Sequence, residues 1–324
     1  MPSALPIESR SPAGGHEPVL ADDVVRLLQP RLGETIVDCT FGGGGHARRL
    51  APALGEDGRY IAIDQDPEAA VWFASLADDV VCETRFVRAD YADALPRLAA
   101  QGLRADAVLM DLGLSSMQVD RPERGFSYSR QAPLDMRMDP GRPASAADLV
   151  ATASERELAE ILRLYGEERY ARPIARAIVR RRGQAPIDTT GDLVEVVRSA
   201  LPTPALFAGG HPAKRVFQAL RIAVNEELDS LRAGLAAGFA LLRPGGRMAV
   251  IAFHSLEDRM VKRFMQERQA GCICPPDMPV CGCGRTPEAT TLTSKVIRPR
   301  QPELDRNPRS RSARLRGLVR VEEP

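Results

Sequence analysis

The sequence predicts an α/β protein, a Rossmann-like, doubly wound and mostly parallel sheet interrupted by an all-helical insert. Short apolar strands alternate with helical segments over residues 18–111, which is typical of a parallel sheet. Four consecutive glycines follow the first strand at 42–45, where such sheets bind their ligands. Residues 146–200 contain helical patterns without strands, and the strand pattern resumes near residue 247. An insert therefore separates the fourth strand from the fifth.

Six strands and the helical segments between them are predicted. The strands are apolar throughout, as expected when helices cover both faces of the sheet. In chain order they span 35–40, 59–64, 85–89, 107–111, 247–253 and 315–321. The helical segments span 18–32, 46–54, 67–77, 92–101, 146–150, 155–164, 169–182, 190–200 and 219–242, the last ended by Pro-Gly-Gly at 244–246.

These elements divide the chain into three regions. Residues 1–15 are expected to be a disordered lead-in. Residues 16–126 and 215–324 are expected to form the sheet domain. Residues 127–214 are expected to form the helical insert, which is a candidate for substrate RNA recognition.

Composition narrows the class of protein. The chain has 324 residues, 44 basic and 43 acidic, so its net charge of +1 does not bear on nucleic-acid binding. No apolar run approaches the roughly 20 residues that cross a bilayer, and the start of the chain has no signal-peptide pattern. A cytoplasmic protein without a membrane partner is expected.

The glycine loop predicts a ligand that carries a ribose. Glycines at a strand end let the backbone approach a ligand closely, and Asp64 ends the second strand about 20 residues later, the spacing of an acid that bonds ribose hydroxyls. A nicotinamide cofactor is disfavoured because Ala47 occupies the sixth position of the G-x-G-x-x-G spacing. S-adenosylmethionine, which has no pyrophosphate, fits better. Tyr91, after the third strand, either flanks the adenine or simply packs at a strand end.

Two side chains at later strand ends are candidates for catalysis. Asp111 ends the fourth strand, which a doubly wound order places beside the first. A carboxylate there could accept the hydrogens of an exocyclic base amine and later its proton, or it could cap a helix or bind the cofactor's amine. His254 follows the fifth strand and could orient the base or shuttle the proton, or it could only bond the backbone. The loop 133–139 either closes over a flipped base or is a solvated loop.

Several long motifs resemble the RsmH (MraW) family, bacterial 16S ribosomal RNA cytosine-N4 methyltransferases. They are HEPVL at 16–20, DCTFGGGGHA at 38–47, AIDQDP at 62–67, DLGLSSMQVD at 111–120, ERGFSYS at 123–129, PLDMRMDP at 133–140, YGEER at 165–169, FQALRIAVNEEL at 217–228, LRPGGR at 242–247 and FHSLEDRMVKRF at 253–264. The resemblance runs from about His16 to the end of the chain.

The resemblance implies a cytoplasmic class I methyltransferase that uses S-adenosylmethionine. Its implied target is a cytosine in the decoding region of small-subunit rRNA, at the peptidyl-tRNA site, with 16S rRNA or the small ribosomal subunit as partner and neither DNA nor membrane. The implied cofactor contacts are Gly44, Gly45, His46, Asp64, Tyr91, Asp111 and Gln118. Gly43 stands where relatives can carry Arg, and Tyr91 where others have Phe.

Two arginine-rich regions are candidate RNA surfaces, because basic clusters track phosphates; such runs can also be merely solvated. The first comprises Arg172, Arg176, Arg180, Arg181 and Arg182, and the second Arg298, Arg300, Arg306, Arg309, Arg311, Arg314 and Arg316.

Metal binding and assembly are left open by the sequence. Cys272, Cys274, Cys281 and Cys283 could hold a zinc ion or lie in a reduced, flexible loop. A homodimer is also left open. The competing functions are a nicotinamide-dependent dehydrogenase and a non-enzymatic ribosome-assembly factor that retains the fold as an RNA clamp.

Overall fold

A seven-stranded sheet in the order β3-β2-β1-β4-β5-β7-β6 organises the chain. The computed structural model describes residues 17–207, 210–271, 274, 278, 282–283 and 285–321, so the predicted disordered lead-in 1–15 lies outside the described residues. The strands are β1 (Thr35–Asp38), β2 (Arg59–Asp64), β3 (Glu83–Arg88), β4 (Ala105–Asp111), β5 (Leu242–Ala252), β6 (Ala289–Thr291) and β7 (Arg314–Arg320).

The first five strands run parallel, which confirms the predicted doubly wound sheet. Strand β1 pairs with β2 on one side and β4 on the other, so the chain reverses its direction of winding at β1. The last predicted strand is β7, which lies antiparallel to β5. The short strand β6, which pairs antiparallel with β7, was not predicted.

The Pro-Gly-Gly turn is part of an irregular start to β5. Ala105 pairs with Leu242 and Ala107 with Arg247, so residues 243–246 bulge out opposite a single residue of β4. Arg243 at this bulge donates to Asp106 at 2.7 Å. The regular part of β5 therefore begins where the sequence predicted.

Helices cover both faces of the sheet. The helices are α1 (Ala21–Leu28), α2 (Ala47–Leu50), α3 (Ala69–Asp79), α4 (Tyr91–Ala100), α5 (Ser116–Asp120), α6 (Ala146–Thr152), α7 (Glu155–Gly166), α8 (Ala171–Arg182), α9 (Thr190–Ala200), α10 (Thr203–Leu206), α11 (Lys214–Asn225), α12 (Glu227–Leu241), α13 (Ser255–Gln269) and α14 (Gln301–Arg306). The core with α1, α2 and α3 lies on one face, and that with α4, α12 and α13 on the other. No helix of the described residues has the length and apolar character that crossing a bilayer requires.

A third hydrophobic core lies among the helices that separate β4 from β5. Its buried residues come from helices α6, α7, α8, α9 and α11, here called the helical group. The predicted loop 133–139 belongs to it, because Leu134, Met136 and Met138 are buried there. The solvated-loop alternative is therefore wrong for these apolar side chains, whereas closure over a flipped base stays a prediction.

The single long helix predicted over 219–242 is wrong, because the chain breaks at Glu226. Glu226 has a φ of 53°, the left-handed conformation that ends α11. The neighbouring Asn225 is 1% exposed, accepts from the Met138 N–H at 2.8 Å and donates to the Met136 carbonyl at 2.7 Å. The break lets α11 pack with the helical group while α12 packs on the sheet. A continuous apolar pattern does not show such a change of partner.

Candidate functional site

A large cavity lies at the carboxyl edge of the sheet, where β1, β2, β4 and β5 end. Its volume is about 760 Å³, within the range of roughly 300–1,000 Å³ that small-molecule sites occupy. It is lined by Gly45, His46, Asp64, Tyr91, Asp111 and Gln118. Six of the seven predicted cofactor contacts are thus brought together from four separate parts of the chain.

The glycine loop is tied to the acid at the end of β2. Gly42 has a φ of 54°, and its N–H donates to Asp64 Oδ2 at 2.7 Å. The sequence placed Gly42 in the ligand-binding loop but did not give it among the individual cofactor contacts. Gly43 also lines the cavity, and no atom lies within 4 Å of the position a Cβ would take there.

The two predicted glycine contacts lie differently. Gly45 lines the cavity, but Gly44 is not among the residues that do. Gly44 has a φ of 73°, and a Cβ on it would come within 2.7 Å of the Phe41 ring. A Cβ on Gly45 would lie 3.0 Å from Pro18. Both glycines therefore shape the turn, whatever they contact in a ligand.

Asp64 is held by two backbone donors. Besides Gly42, the Asp66 N–H donates to Asp64 Oδ1 at 2.8 Å. Burial raises the pKa of Asp64 from 3.8 to about 6, although these two hydrogen bonds act in the opposite direction. The ionised carboxylate is therefore available at neutral pH and is lost in mild acid.

His46 and Asp111 lie next to each other in the cavity lining, and both have polar atoms without a hydrogen-bond partner among the described residues. His46 Nε2 lies 3.4 Å from Asp111 Oδ2, and neither nitrogen of the His46 ring nor Oδ1 of Asp111 has a hydrogen-bond partner among the described residues. His46 is 6% exposed. Buried polar groups are normally satisfied, so this pair is suited to a ligand with both donors and acceptors, such as an amino-acid end.

Asp38, which the sequence analysis did not select, is a buried carboxyl that binds residues next to the glycine loop. Asp38, 1% exposed, accepts from the Tyr60 hydroxyl at 2.8 Å and from the Thr40 N–H at 3.1 Å. The Thr40 hydroxyl in turn accepts from the Asp111 N–H at 2.6 Å. Burial raises the pKa of Asp38 to about 6. The ends of β1, β2 and β4 are thereby joined in one network.

Tyr91 begins α4 and packs closely against another helix. A Cβ on Gly234 of α12 would lie 2.4 Å from the Tyr91 ring, so the small residue makes room for the aromatic one. The preceding Asp90 caps α4 by accepting from the Ala92 N–H, and its other oxygen accepts from Ser230 at 2.6 Å. Tyr91 thus packs at the strand end and also lines the cavity, and its contact with the adenine stays a prediction.

Gln118 holds the loop after β2 in place. Its Nε2 donates to Asp66 Oδ2 at 3.0 Å, and its Oε1 accepts from the Ser115 N–H in a capping box. Arg124 also binds Asp66 Oδ2, at 2.9 Å, and donates to the Met138 carbonyl at 2.9 Å. The cavity is thereby connected to the helical core.

His254 does not line the cavity, whereas Glu257, three residues later, does. His254 caps α13: its Nδ1 accepts from the Glu257 N–H at 3.4 Å. Its Nε2 lies 3.1 Å from Glu257 Oε1. Sequence reasoning therefore selected the right motif but not the side chain in it that borders the cavity.

Three side chains of the types that bind metals lie together beside α13, but one of them is already bound by an arginine. Single ligand atoms of Glu227, His254 and Glu257 lie within 4.8 Å of one another. Arg221 binds both oxygens of Glu227, at 2.7 and 2.8 Å. A cation would have to displace this guanidinium, so the arrangement is that of an ion-pair network.

Of the four cysteines that could hold zinc, Cys272 and Cys281 lie outside the described residues.

The arginines of the two predicted RNA surfaces differ in whether they are exposed or bound to protein groups. Arg172, Arg176 and Arg180 are exposed along α8, although Arg176 also pairs with Glu155 at 3.5 Å, and several other arginines bind protein groups. Among these, Arg181 and Arg182 donate to backbone carbonyls, Arg306 binds Glu17, Arg309 binds Asp120, and Arg314 and Arg316 bind Asp258. Arg298, Arg300 and Arg311 are exposed.

Comparison with known proteins adds sequence similarity over nearly the whole chain. The sequence profile of the MraW methylase family matches residues 13–321. Ribosomal RNA small subunit methyltransferase H of Symbiobacterium thermophilum is 50% identical over 95% of this chain and 97% of its own length. The protein of the same name from Rubrobacter xylanophilus is 50% identical over 96% and 98%. Among solved structures, the N-methyltransferase NodS from Bradyrhizobium japonicum has a TM-score of 0.42 at 8% identity, covering 93% of this chain and 94% of its own.

Proposed function

The chain belongs to the MraW methylase family, and from that premise we propose that it methylates N4 of a cytidine in the decoding region of 16S ribosomal RNA. The methyl donor is S-adenosylmethionine. The coarser activity, methylation of small-subunit ribosomal RNA, follows from the near full-length similarity to enzymes of that name. The choice of cytidine N4 at the peptidyl-tRNA site, and action in the cytoplasm, are the finer parts of the proposal.

One observation carries the cofactor assignment. The unpartnered His46 and Asp111 share a single cavity with Asp64, whose carboxylate is positioned by the glycine loop. S-adenosylmethionine needs a carboxylate for its ribose hydroxyls and polar partners for its amino-acid end. We assign Asp64 to the ribose and His46 with Asp111 to the amino-acid end. Gly44, Gly45, Tyr91 and Gln118 stay proposed contacts.

The cofactor supplies a methyl group on a positively charged sulfur. The protein must bring a base amine into line with it, because the exocyclic amine is a weak nucleophile whose lone pair is delocalised into the ring. Alignment of the reacting atoms contributes most of such a rate enhancement. A carboxylate that accepts an amine hydrogen would raise the electron density on nitrogen. Asp111 and His254 were the sequence candidates for this task, and both stay proposals.

We assign substrate RNA recognition to the predicted insert, residues 127–214, whose helices form the helical group together with α11. It presents the exposed arginines of α8, and Arg124 and Asn225 connect its core to the cavity. The target base must leave any stack to enter the cavity, as in other enzymes that modify bases.

Methyl transfer by the purified chain tests the proposal. The protein is incubated with labelled S-adenosylmethionine and small ribosomal subunits that lack this modification, and the RNA is digested to nucleosides. We expect label in N4-methylcytidine. Label confined to another nucleoside would contradict the N4 assignment, and no label with either naked 16S rRNA or subunits would contradict the activity.

A further inference from the structure

Eight acidic side chains border the cavity, and most of them are committed to other groups. They are Glu17, Asp64, Glu68, Asp90, Asp111, Asp120, Glu227 and Glu257. Glu17, Glu68, Asp120 and Glu227 form ion pairs with arginines. Asp64 is tied to the glycine loop and Asp90 to α4 and α12. Asp111 and Glu257 are paired instead with histidines, His46 and His254, and are the candidates to meet a substrate.

Asp111 and Glu257 lie at the ends of different strands. Asp111 ends β4 and faces His46 across the glycine loop, where the proposed function places the amino-acid end of the cofactor. Glu257 lies in the first turn of α13, directly after β5. The two carboxylates therefore reach the cavity from different elements.

The structure assigns Glu257 as the group that accepts a hydrogen from the exocyclic amine of the target base, and thereby selects an amine-bearing pyrimidine over uracil. The assignment rests on the proposed function. It gives Asp111 to the cofactor and makes His254 a positioning residue that acts through Glu257.

The carboxylate of Glu257 is fixed in direction. Its Oε2 accepts from the Phe253 N–H at 2.7 Å and the His254 N–H at 3.2 Å. Glu257 is 3% exposed, so the side chain cannot turn away to bulk water. Oε1 is left on the other side of the group, facing the His254 ring.

The environment of Glu257 favours its ionised form. Burial by itself would raise the pKa of Glu257, but the hydrogen bond and charge of His254, the charge of Arg221 and the Phe253 N–H together lower it. The N-terminal end of a helix also favours a negative charge. An ionised carboxylate only accepts hydrogen bonds.

His254 is oriented to support this state. Because its Nδ1 accepts from the Glu257 N–H, the proton of a neutral ring resides on Nε2, the atom that lies 3.1 Å from Glu257 Oε1. The Nε2–H group faces Oε1 without the alignment of a full hydrogen bond, so Oε1 keeps its capacity to accept one. The predicted catalytic role of His254 becomes an indirect one.

The chemistry of the two pyrimidines makes this arrangement selective. Cytosine offers a donor amine at position 4, and Glu or Asp is the expected acceptor for it. Uracil offers a carbonyl oxygen there, which would face the carboxylate as a second acceptor and leave both unpaired. Phe253 also lines the cavity, and an aromatic ring is a group on which a base can stack.

A cycle between protein and base variants tests the assignment. The full chain, saturated with S-adenosylhomocysteine, is titrated with 16S rRNA that carries cytidine, pyrimidin-2-one riboside or uridine at the target position. The riboside lacks the amine and is otherwise like cytidine. For the unaltered chain we expect removal of the amine to weaken binding by roughly tenfold or more, as for a hydrogen bond to a charged group, and uridine to bind more weakly still.

Glu257→Gln is expected to reduce the tenfold preference to less than about threefold, while leaving the affinity for S-adenosylhomocysteine unchanged. Asp111→Asn is expected to weaken the affinity for S-adenosylhomocysteine while leaving the tenfold amine preference unchanged. Glu167→Gln is the matched control, because Glu167 binds Ser255 and Arg259 of α13 but does not line the cavity; it should keep both properties. If Glu257→Gln does not fold, Glu257→Asp, which withdraws the carboxylate by one methylene, should lose at least threefold of the preference.

An undiminished amine preference in the Glu257 variants would overturn the assignment, as would its loss in Asp111→Asn alone. Equal binding of all three RNAs by the unaltered chain would also overturn it. In each case methylation of cytidine by the unaltered chain shows that the proposed function itself stands. Absence of that methylation would instead refute the proposed function.

Discussion

At the scale of residues, the site depends on a small number of carboxylates with different surroundings. Asp64 and Asp38 are harder to ionise than usual because they are buried, whereas Glu257 is easier to ionise because His254 and Arg221 outweigh its burial. The same carboxylate group is therefore suited to different tasks: joining strand ends at Asp38, and, as we propose, binding ribose hydroxyls at Asp64 and accepting from a base at Glu257.

The raised pKa of Asp64 predicts that cofactor affinity falls in mild acid. The ribose hydroxyls need the ionised carboxylate, which is fully available above about pH 7 and is lost as the pH falls through about 6. Calorimetric titration with S-adenosylhomocysteine should show affinity falling by up to tenfold per pH unit below 6.

Asp64→Asn is the control for this pH dependence. The variant should bind weakly at all pH values with a shallower slope; Asp38, whose pKa is also about 6, accounts for any slope that remains. An affinity of the unaltered chain that is constant from pH 7.5 to pH 5 would contradict the role of Asp64.

At the scale of elements, the junction between α11 and α12 decides how the helical group meets the sheet. Asn225 is the last residue of α11 and is buried against the segment that carries Met136 and Met138. Its side chain satisfies one backbone N–H and one carbonyl of that segment. The junction therefore holds by hydrogen bonds that no apolar residue can replace.

Asn225→Ala is expected to lower the free energy of unfolding by about 2–4 kcal/mol, because it leaves a buried donor and a buried acceptor without partners. Urea denaturation followed by circular dichroism measures the change. Thr152→Ala, which removes an exposed hydroxyl from α6, should change it by no more than about 0.5 kcal/mol. Equal effects of the two substitutions would show that the junction contributes nothing specific.

The sheet could be predicted from the sequence, but which side chains of the later motifs border the cavity could not. Strand ends that carry Asp64 and Asp111 converge in any doubly wound sheet, so their proximity followed from periodicity alone. Which residue of the motif after β5 borders the cavity depends on how α13 is capped. His254 is the N-cap residue, and Glu257, one turn later, is the one that borders the cavity. The break at Glu226 was missed because both sides of it are apolar at helical spacing.

At the scale of the whole molecule, the near-neutral net charge conceals an uneven distribution of arginines. Those of the tail are partly paired with acids, as Arg314 and Arg316 are with Asp258. Those at Arg172, Arg176 and Arg180 share one exposed side of α8. We therefore expect α8 to contribute more to RNA binding than a count of basic residues suggests.

Replacing Arg172, Arg176 and Arg180 together with Ala is expected to weaken binding of 16S rRNA and to make the salt dependence of log K shallower by up to about 2–3, since each lost phosphate contact removes roughly 0.7–0.9 from the slope. Filter binding between 50 and 200 mM salt, conditions where such slopes are measured, gives both values. The matched control replaces the exposed Arg85, Arg97 and Arg104 of the sheet domain and should leave the slope unchanged. A shallower slope for the sheet-domain variant, with an unchanged slope for the α8 variant, would place the RNA on the sheet domain.

The central claim is that this chain places the N4 methyl group on a cytidine of 16S ribosomal RNA. Its most direct test is mass spectrometry of the 16S rRNA nucleosides from cells that lack the gene, with and without the gene restored. The account predicts that N4-methylcytidine at the target position disappears and returns with the unaltered gene. Undiminished N4-methylcytidine in the cells that lack the gene would contradict it.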